Sequence, residues 1–194
     1  MTWRYRGTFA LVLVTVLAAA GCATTPTAVG SQALRAGRPA DAVEQFEKAL
    51  AEEPGRIDAL TGLGIAKYRL GTYDEAIAAL GDAVAQAPEQ AAARLYLALA
   101  HVRKRDDAKA QEHLTLLRGM PLDPRFAALV DQALVLLRTG PLNDAGRTYL
   151  IASLDYAAEW SRELAETRRA LNQAQLAWDP FWTRPVYVIR CRNC

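Results

Sequence analysis

The chain is poor in several features that define common protein classes. It has three cysteines and two histidines in 194 residues, and aromatic residues make up 8% of it. Three cysteines are too few for a disulfide-framework domain, and 12 Gly with 9 Pro are too few for a fibrous protein. The formal net charge of +2 offers no clustered basic excess for nucleic acid, and 52% hydrophobic residues exclude a disordered chain.

A long hydrophobic run is also missing. The longest, Phe9 to Ala20, covers 12 residues, whereas a bilayer span needs about 17–25. It follows Arg4 and Arg6 and leads into Ala19-Ala20-Gly21-Cys22, which resembles the lipobox of bacterial lipoprotein signal peptides. The resemblance implies that residues 1–21 are removed and that Cys22 receives lipid. An uncleaved membrane anchor over residues 7–23 is the alternative.

Cleavage at this point would change the charge and the location of the protein. It removes two arginines and no acidic residue, so the remaining 173 residues have a net charge of zero. Overall charge then supports no nucleic-acid partner, and a short segment, residues 22–26, would link the lipid to the fold. By resemblance to enteric lipoproteins, Ala23 after the lipidated cysteine implies the periplasmic face of the outer membrane. A lipoprotein of the cytoplasmic membrane is the alternative.

What the chain does have is helix-forming composition, with 38 Ala and 26 Leu, and an internal repeat. The segment 37–42, GRPADA, aligns with 71–76, GTYDEA, at an offset of 34 residues. The same offset joins Ala49 to Ala83 and Pro54 to Pro88. This pattern resembles the tetratricopeptide repeat, a 34-residue helix–turn–helix, and residues 60–88 carry most of its signature positions. Lys67 departs from it, because an aromatic residue is usual there.

The resemblance implies an all-α solenoid of about three to four helix–turn–helix repeats over residues 27–142. Apolar spacing and prolines predict helices over 27–36, 39–53, 57–70, 74–87, 89–104, 106–118 and 124–139. Small residues such as Gly64 and Ala98 are expected to let helix backbones approach closely. Pro54 and Pro88 are expected to begin the turns between repeats.

The remaining sequence predicts one long helix. Residues 143–178 contain no Pro and a single Gly, Asn143 can cap the start, and Asp179-Pro180 is expected to end it. Its first half is expected to close the repeat array, and its charged second half to face solvent or a partner. A break near residues 158–162 into two helices is the alternative. Residues 179–194 would form a short irregular tail.

Family geometry places the first helix of each repeat on the concave face of the superhelix. Position by position, this implies a protein-binding groove containing Arg35, Tyr68, Arg69, Tyr96, Leu99, Arg103 and Arg138. Arg35, Arg69 and Arg103 are 34 residues apart, so they would form a row suited to carboxylates. The alternative is structural, since cations are favoured at helix C-termini and aromatic residues pack between helices. The carboxylate clamp of the family is missing, because Thr27 and Ser31 occupy the corresponding places.

Two further groups of residues were weighed for chemistry. Cys191 and Cys194 predict a disulfide in an exported protein, with a redox or metal-handling role as the alternative. A structural zinc site usually takes four ligands, and this pair supplies two. His101 and His113 fall on different predicted helices, and no catalytic constellation or phosphate-binding loop is present. We therefore expect no enzymatic activity, no metal and no cofactor.

Together these features predict a lipid-anchored, non-enzymatic scaffold or assembly factor that binds protein partners in the cell envelope. The envelope machinery could be an outer-membrane complex, a pilus or secretion system, or cell-wall enzymes. Two alternatives remain at this stage: a redox or metal-handling lipoprotein acting through its C-terminal cysteines, and a repeat lipoprotein that binds a small ligand.

Overall fold

A computed structural model describes residues 25–182 of the chain, apart from the side chains of residue 161 and residues 175–182. The signal peptide, Cys22, the C-terminal tail after residue 182 and the Cys191–Cys194 pair lie outside the described residues. Within the described part, the secondary structure is entirely helical. The helices are α1 (Pro26–Arg35), α2 (Pro39–Glu52), α3 (Ile57–Leu70), α4 (Tyr73–Gln86), α5 (Ala91–Arg103), α6 (Asp107–Arg118), α7 (Pro124–Arg138) and α8 (Asp144–Trp182).

Local sequence accounts for where these helices begin and end. Thr25 and Asp123 cap α1 and α7, and each is followed by a proline at the first helical position, where the missing N–H costs nothing. Asn143 caps α8, since its Oδ1 accepts a hydrogen bond from the Gly146 N–H at 2.8 Å. Gly71 ends α3 in the left-handed conformation, with φ of 84°. All seven repeat helices predicted from the sequence are present, with ends within two residues of the prediction.

The chain divides into two compact units, residues 1–113 and 114–194, with the boundary inside α6. In the first unit, consecutive helices form antiparallel hairpins, α1 with α2 and α3 with α4. The second helix of each hairpin packs on the first helix of the next, and the first helices α1, α3 and α5 pack side by side. This is the arrangement of an all-α tetratricopeptide-repeat solenoid, as the sequence predicted.

Close approach of backbones holds the first unit together. A Cβ built on Gly64 would lie 2.4 Å from Cγ of Leu80, which confirms the predicted role of this glycine as a contact point between α3 and α4. A Cβ on Gly62 would lie 2.2 Å from the Phe46 ring, so α2 packs directly on the α3 backbone. Phe46 is 1% exposed and also lies against Gly30 in α1. One phenyl ring therefore joins three helices through two glycines.

In the second unit, α7 packs on the first half of α8. The two helices bury apolar side chains that recur at three- and four-residue spacing: Phe126, Val130, Ala133, Leu134 and Leu137 from α7, and Leu150, Ile151, Leu154, Ala157 and Ala158 from α8. On the surface of the pair, the Arg125 guanidinium lies 5.1 Å from the centroid of the Trp160 ring.

The long helix α8 is continuous over 39 residues, about 58 Å, with no break near residues 158–162. It extends to Trp182, four residues beyond the end expected at Trp178. Pro180 lacks an N–H and removes at most one intrahelical hydrogen bond, which does not by itself stop a helix whose next residues continue the turn. Among the described helices, none has both the length and the hydrophobicity of a membrane span.

Candidate functional site

The predicted row of arginines follows the C-terminal ends of the first helices. Arg35, Arg69 and Arg103 stand in the last turns of α1, α3 and α5. These ends lie along one edge, because Arg69 Nη1 donates a hydrogen bond to the Leu34 carbonyl oxygen at 2.9 Å. The next turns along are joined by a hydrogen bond from Lys104 to Asp74. The first three members of the row are therefore brought to one edge of the first unit.

The three members have different surroundings. Arg69 is half-buried and satisfies a carbonyl at the end of α1, which is one of the acceptors that a helix C-terminus leaves without an intrahelical partner. Arg35 and Arg103 are exposed and remain accessible to a ligand. The structural interpretation thus holds for Arg69, while the two outer arginines stay candidates for binding. Arg138 is exposed at the end of α7, in the second unit.

The three groove candidates without charge are buried in the core. Tyr68 is 6% exposed, Tyr96 1% and Leu99 0%. The Tyr68 ring packs edge-on against Tyr96 at 5.5 Å and lies tilted against Tyr73 at 5.8 Å. These side chains hold α3, α4 and α5 together, and in this conformation they offer no surface to a partner. Placing them in the groove was wrong, because α5 is buried on all sides from Ala93 to Val102.

Charged side chains border the same edge at the turn between α3 and α4. Lys67 Nζ lies 2.6 Å from Glu75 and 3.5 Å from Glu47, so it bridges α2, α3 and α4. Its hydrogen bond to Glu75 is the main reason that the pKa of Lys67 is raised. The sequence marked this position as a departure from the repeat pattern. The structure shows that an ion-pair network here replaces aromatic packing.

A shallow pocket of about 310 Å³ opens beside this turn. Its lining residues are Gly71, Thr72, Tyr73, Asp74, Glu75 and Lys104. The Asp74 side chain is 81% exposed and already pairs with Lys104, so the pocket is a surface depression between two repeat turns. An enclosed cavity would have favoured the small-ligand alternative, and this open depression does not.

The two histidines come together in the third hairpin, a contact that the sequence did not predict. The imidazole rings of His101 in α5 and His113 in α6 are stacked, with centroids 5.6 Å apart and planes at 16°. Burial is the main cause that lowers the pKa of both. Nδ1 of His113 is buried without a hydrogen-bond partner, and Nδ1 of His101 lies 3.5 Å from Asp106. Their 12-residue separation is the only sequence signal of the pair.

The described residues bring together no three His, Cys, Asp or Glu side chains that could hold a metal ion. The cysteine pair at 191 and 194 and the lipidation candidate Cys22 are not among them. The site that the described residues do form is thus an exposed, mainly cationic edge with no reactive constellation.

Helical hairpins that recur every 34 residues and stack side by side define a helical-repeat protein that presents surfaces. Two tetratricopeptide repeat models match the chain, one over residues 33–83 and the other over residues 61–124. Residues 33–124 are therefore tetratricopeptide repeats, which generally mediate protein–protein interaction and typically belong to non-enzymatic scaffolds. No curated protein matches the chain.

Proposed function

We propose that this protein is a lipid-anchored scaffold or assembly factor that binds a protein partner in the bacterial cell envelope. The observation that carries the binding role is the stack of tetratricopeptide hairpins over residues 33–124. Repeat arrays of this kind present extended surfaces and no reactive centre. The envelope location is supported by the lipobox-like sequence that ends at Cys22.

The edge that carries Arg35 and Arg103 is the surface that fits a partner best. Both guanidinium groups are exposed at the ends of adjacent repeats, and they flank Arg69, which is engaged within the fold. Guanidinium groups in a row suit carboxylates, with which they form paired, charge-assisted hydrogen bonds. The partner segment is therefore acidic.

Crosslinking in cells tests the binding surface. A photoreactive residue is placed at position 35 or 103, and as a control at position 48, where Lys48 is exposed on α2 and pairs with Glu44. The same envelope protein should crosslink from positions 35 and 103 and not from position 48. The double change Arg35→Glu with Arg103→Glu should reduce that product. Equal products from all three positions, or no effect of charge reversal, would remove this edge from the proposal.

Fractionation and mass measurement test the anchor separately. The intact mass of the protein extracted from membranes should correspond to a chain that begins at Cys22 and carries acyl groups. Cys22→Ser should release the protein from the membrane fraction. A mass that includes an unmodified Met1 would contradict the lipoprotein assignment and leave the binding surface untouched.

A further inference from the structure

The second half of α8 exposes every described side chain. From residue 162 to residue 174 each side chain is exposed, whereas the first half of the helix buries Leu150, Leu154 and Ala157 against the second unit. A helix this long needs a reason to continue beyond the core that supports it. Isolated helical segments of this length are marginal in water, so a contact on the exposed half would stabilise it.

That exposed half carries a narrow apolar stripe. Leu164 and Leu171 are seven residues apart on one face and are 38% and 61% exposed. Thr167 and Ala174 follow them at three-residue spacing, which completes the alternating spacing of three and four residues found at coiled-coil seams. In sequence the register begins at Trp160 and continues to Trp178 and Phe181. The stripe is therefore about three heptads long.

Charges on the two sides of the stripe determine what can pack on it. Glu163 immediately precedes the seam residue Leu164, and Arg168 immediately follows Thr167. Both are exposed, and they stand five residues apart on opposite edges of the stripe. In two parallel helices, these edge positions of one chain face those of the other with that five-residue offset. In two antiparallel helices, each edge faces its own equivalent, so that like charges meet.

We propose that two copies of this chain pair in parallel through the α8 seam formed by Leu164, Thr167, Leu171 and Ala174. Glu163 of each copy then lies opposite Arg168 of the other. The seam is short and contains Thr and Ala, so the dimer is weak and forms reversibly. The pairing goes beyond the binding of a partner by the repeats, because it uses the second unit only.

Charge reversal with rescue tests the orientation and the occupant together. The full chain is studied in detergent micelles by sedimentation equilibrium over about 1–100 μM, with a reductant present so that its cysteines cannot link copies. Glu163→Arg and Arg168→Glu should each weaken the dimer about tenfold, since each turns two attractions into repulsions. An equimolar mixture of the two variants should restore the wild-type affinity, and so should the double variant.

A matched pair of variants tests the seam. Leu171→Asp should abolish dimerisation, whereas Ala165→Asp, one residue after Leu164 and off the stripe, should leave it unchanged. Both positions are fully outside the core, so the far-UV circular dichroism and thermal unfolding of the variants should match the wild type. This keeps a loss of pairing distinct from a loss of folding.

Several outcomes would overturn the proposal. A wild-type chain that stays monomeric over the whole range shows that a second copy does not occupy the stripe. A dimer that tightens when Glu163 or Arg168 is reversed is antiparallel. A mixture of the two charge variants that stays dissociated removes the Glu163–Arg168 pairing. Equal effects of Leu171→Asp and Ala165→Asp place the contact elsewhere.

Discussion

The Arg69 guanidinium donates a hydrogen bond to the Leu34 carbonyl oxygen at 2.9 Å, and so ties the end of α3 to the end of α1 one repeat earlier. The bond explains why an arginine that recurs with the repeat period is not free to serve a ligand at every repeat. It also separates the members of the row into one that supports the fold and others that face solvent.

Replacing Arg69 should therefore cost stability, while the same change at Arg103 should not. Arg69→Met keeps most of the alkyl stem and removes the hydrogen bond to Leu34, so we expect a loss of about 1 kcal/mol in the free energy of unfolding. Arg103→Met changes an exposed side chain and should stay within about 0.5 kcal/mol. Urea unfolding of the two variants gives the comparison. Equal losses would contradict the distinction between them.

Stability should fall as the pH is lowered through the range where histidine titrates. Burial lowers the pKa of His101 and His113 in the folded chain, so the unfolded chain, with ordinary values near 6.5, binds more protons. The contribution of the pair is complete above about pH 6.5 and is lost progressively below it. Asp106 and Glu112 oppose this effect, and they are outweighed by burial, Arg94, Lys104 and Lys109.

Unfolding free energies measured between about pH 7.5 and 5.5 check this expectation, since the sequence contains two histidines in all. The double variant His101→Phe with His113→Leu should show a flat profile over that interval. His113→Leu also removes the buried Nδ1 that has no hydrogen-bond partner, so it should not destabilise the protein at neutral pH. An unchanged slope in the double variant would assign the dependence to other groups.

Adding a single methyl group to Gly62 should destabilise the first unit. The new Cβ would meet the Phe46 ring at 2.2 Å, and the ring is 1% exposed and cannot move aside freely. Even after the better helix propensity of alanine, we expect Gly62→Ala to cost about 1–2 kcal/mol. Gly81→Ala is the control, because Gly81 lies inside α4 with nothing within 4 Å of the added atom. It should stabilise by about 0.5–1 kcal/mol.

The turn of the third hairpin offers a stabilising change. Arg105 has a φ of 62°, the left-handed conformation that Gly37 and Gly71 adopt at the corresponding places of the first two hairpins. Arg105→Gly removes the steric cost of a Cβ in that conformation, and we expect a gain of about 1 kcal/mol. Arg103→Gly, in the last turn of α5, should instead destabilise by about 0.5–1 kcal/mol. Thermal unfolding of both variants distinguishes them, and a destabilised Arg105→Gly would contradict the strain argument.

Much of the fold was predictable because it depends on local and periodic signals. The 34-residue offset, the prolines after second helices and the caps at Asp123 and Asn143 located each repeat helix to within two residues. Gly64 was recognisable as a contact point because the repeat family places a small residue there. The equally tight contact of Gly62 with Phe46 was not, since it joins residues of different repeats and follows no signature position.

The candidate site was less predictable, because exposure depends on what covers a helix face. Family geometry placed Tyr68, Tyr96 and Leu99 in the groove, yet packing around α5 buries all three. The arginine row was visible as a period, and its division into an engaged Arg69 and exposed neighbours was not. Those distinctions come from contacts between residues about 35 positions apart, which no local pattern encodes.

The sequence by itself determined the all-α class, the repeat length and the helix boundaries, because backbone hydrogen bonding, capping and apolar periodicity act over a few residues. It also contained the lipobox-like segment and the cysteine pair, whose roles rest on chemistry and not on the fold. Tertiary structure decided which side chains meet. It stacked His101 on His113, engaged Arg69 with Leu34 and left the end of α8 exposed, since burial follows from how whole helices pack.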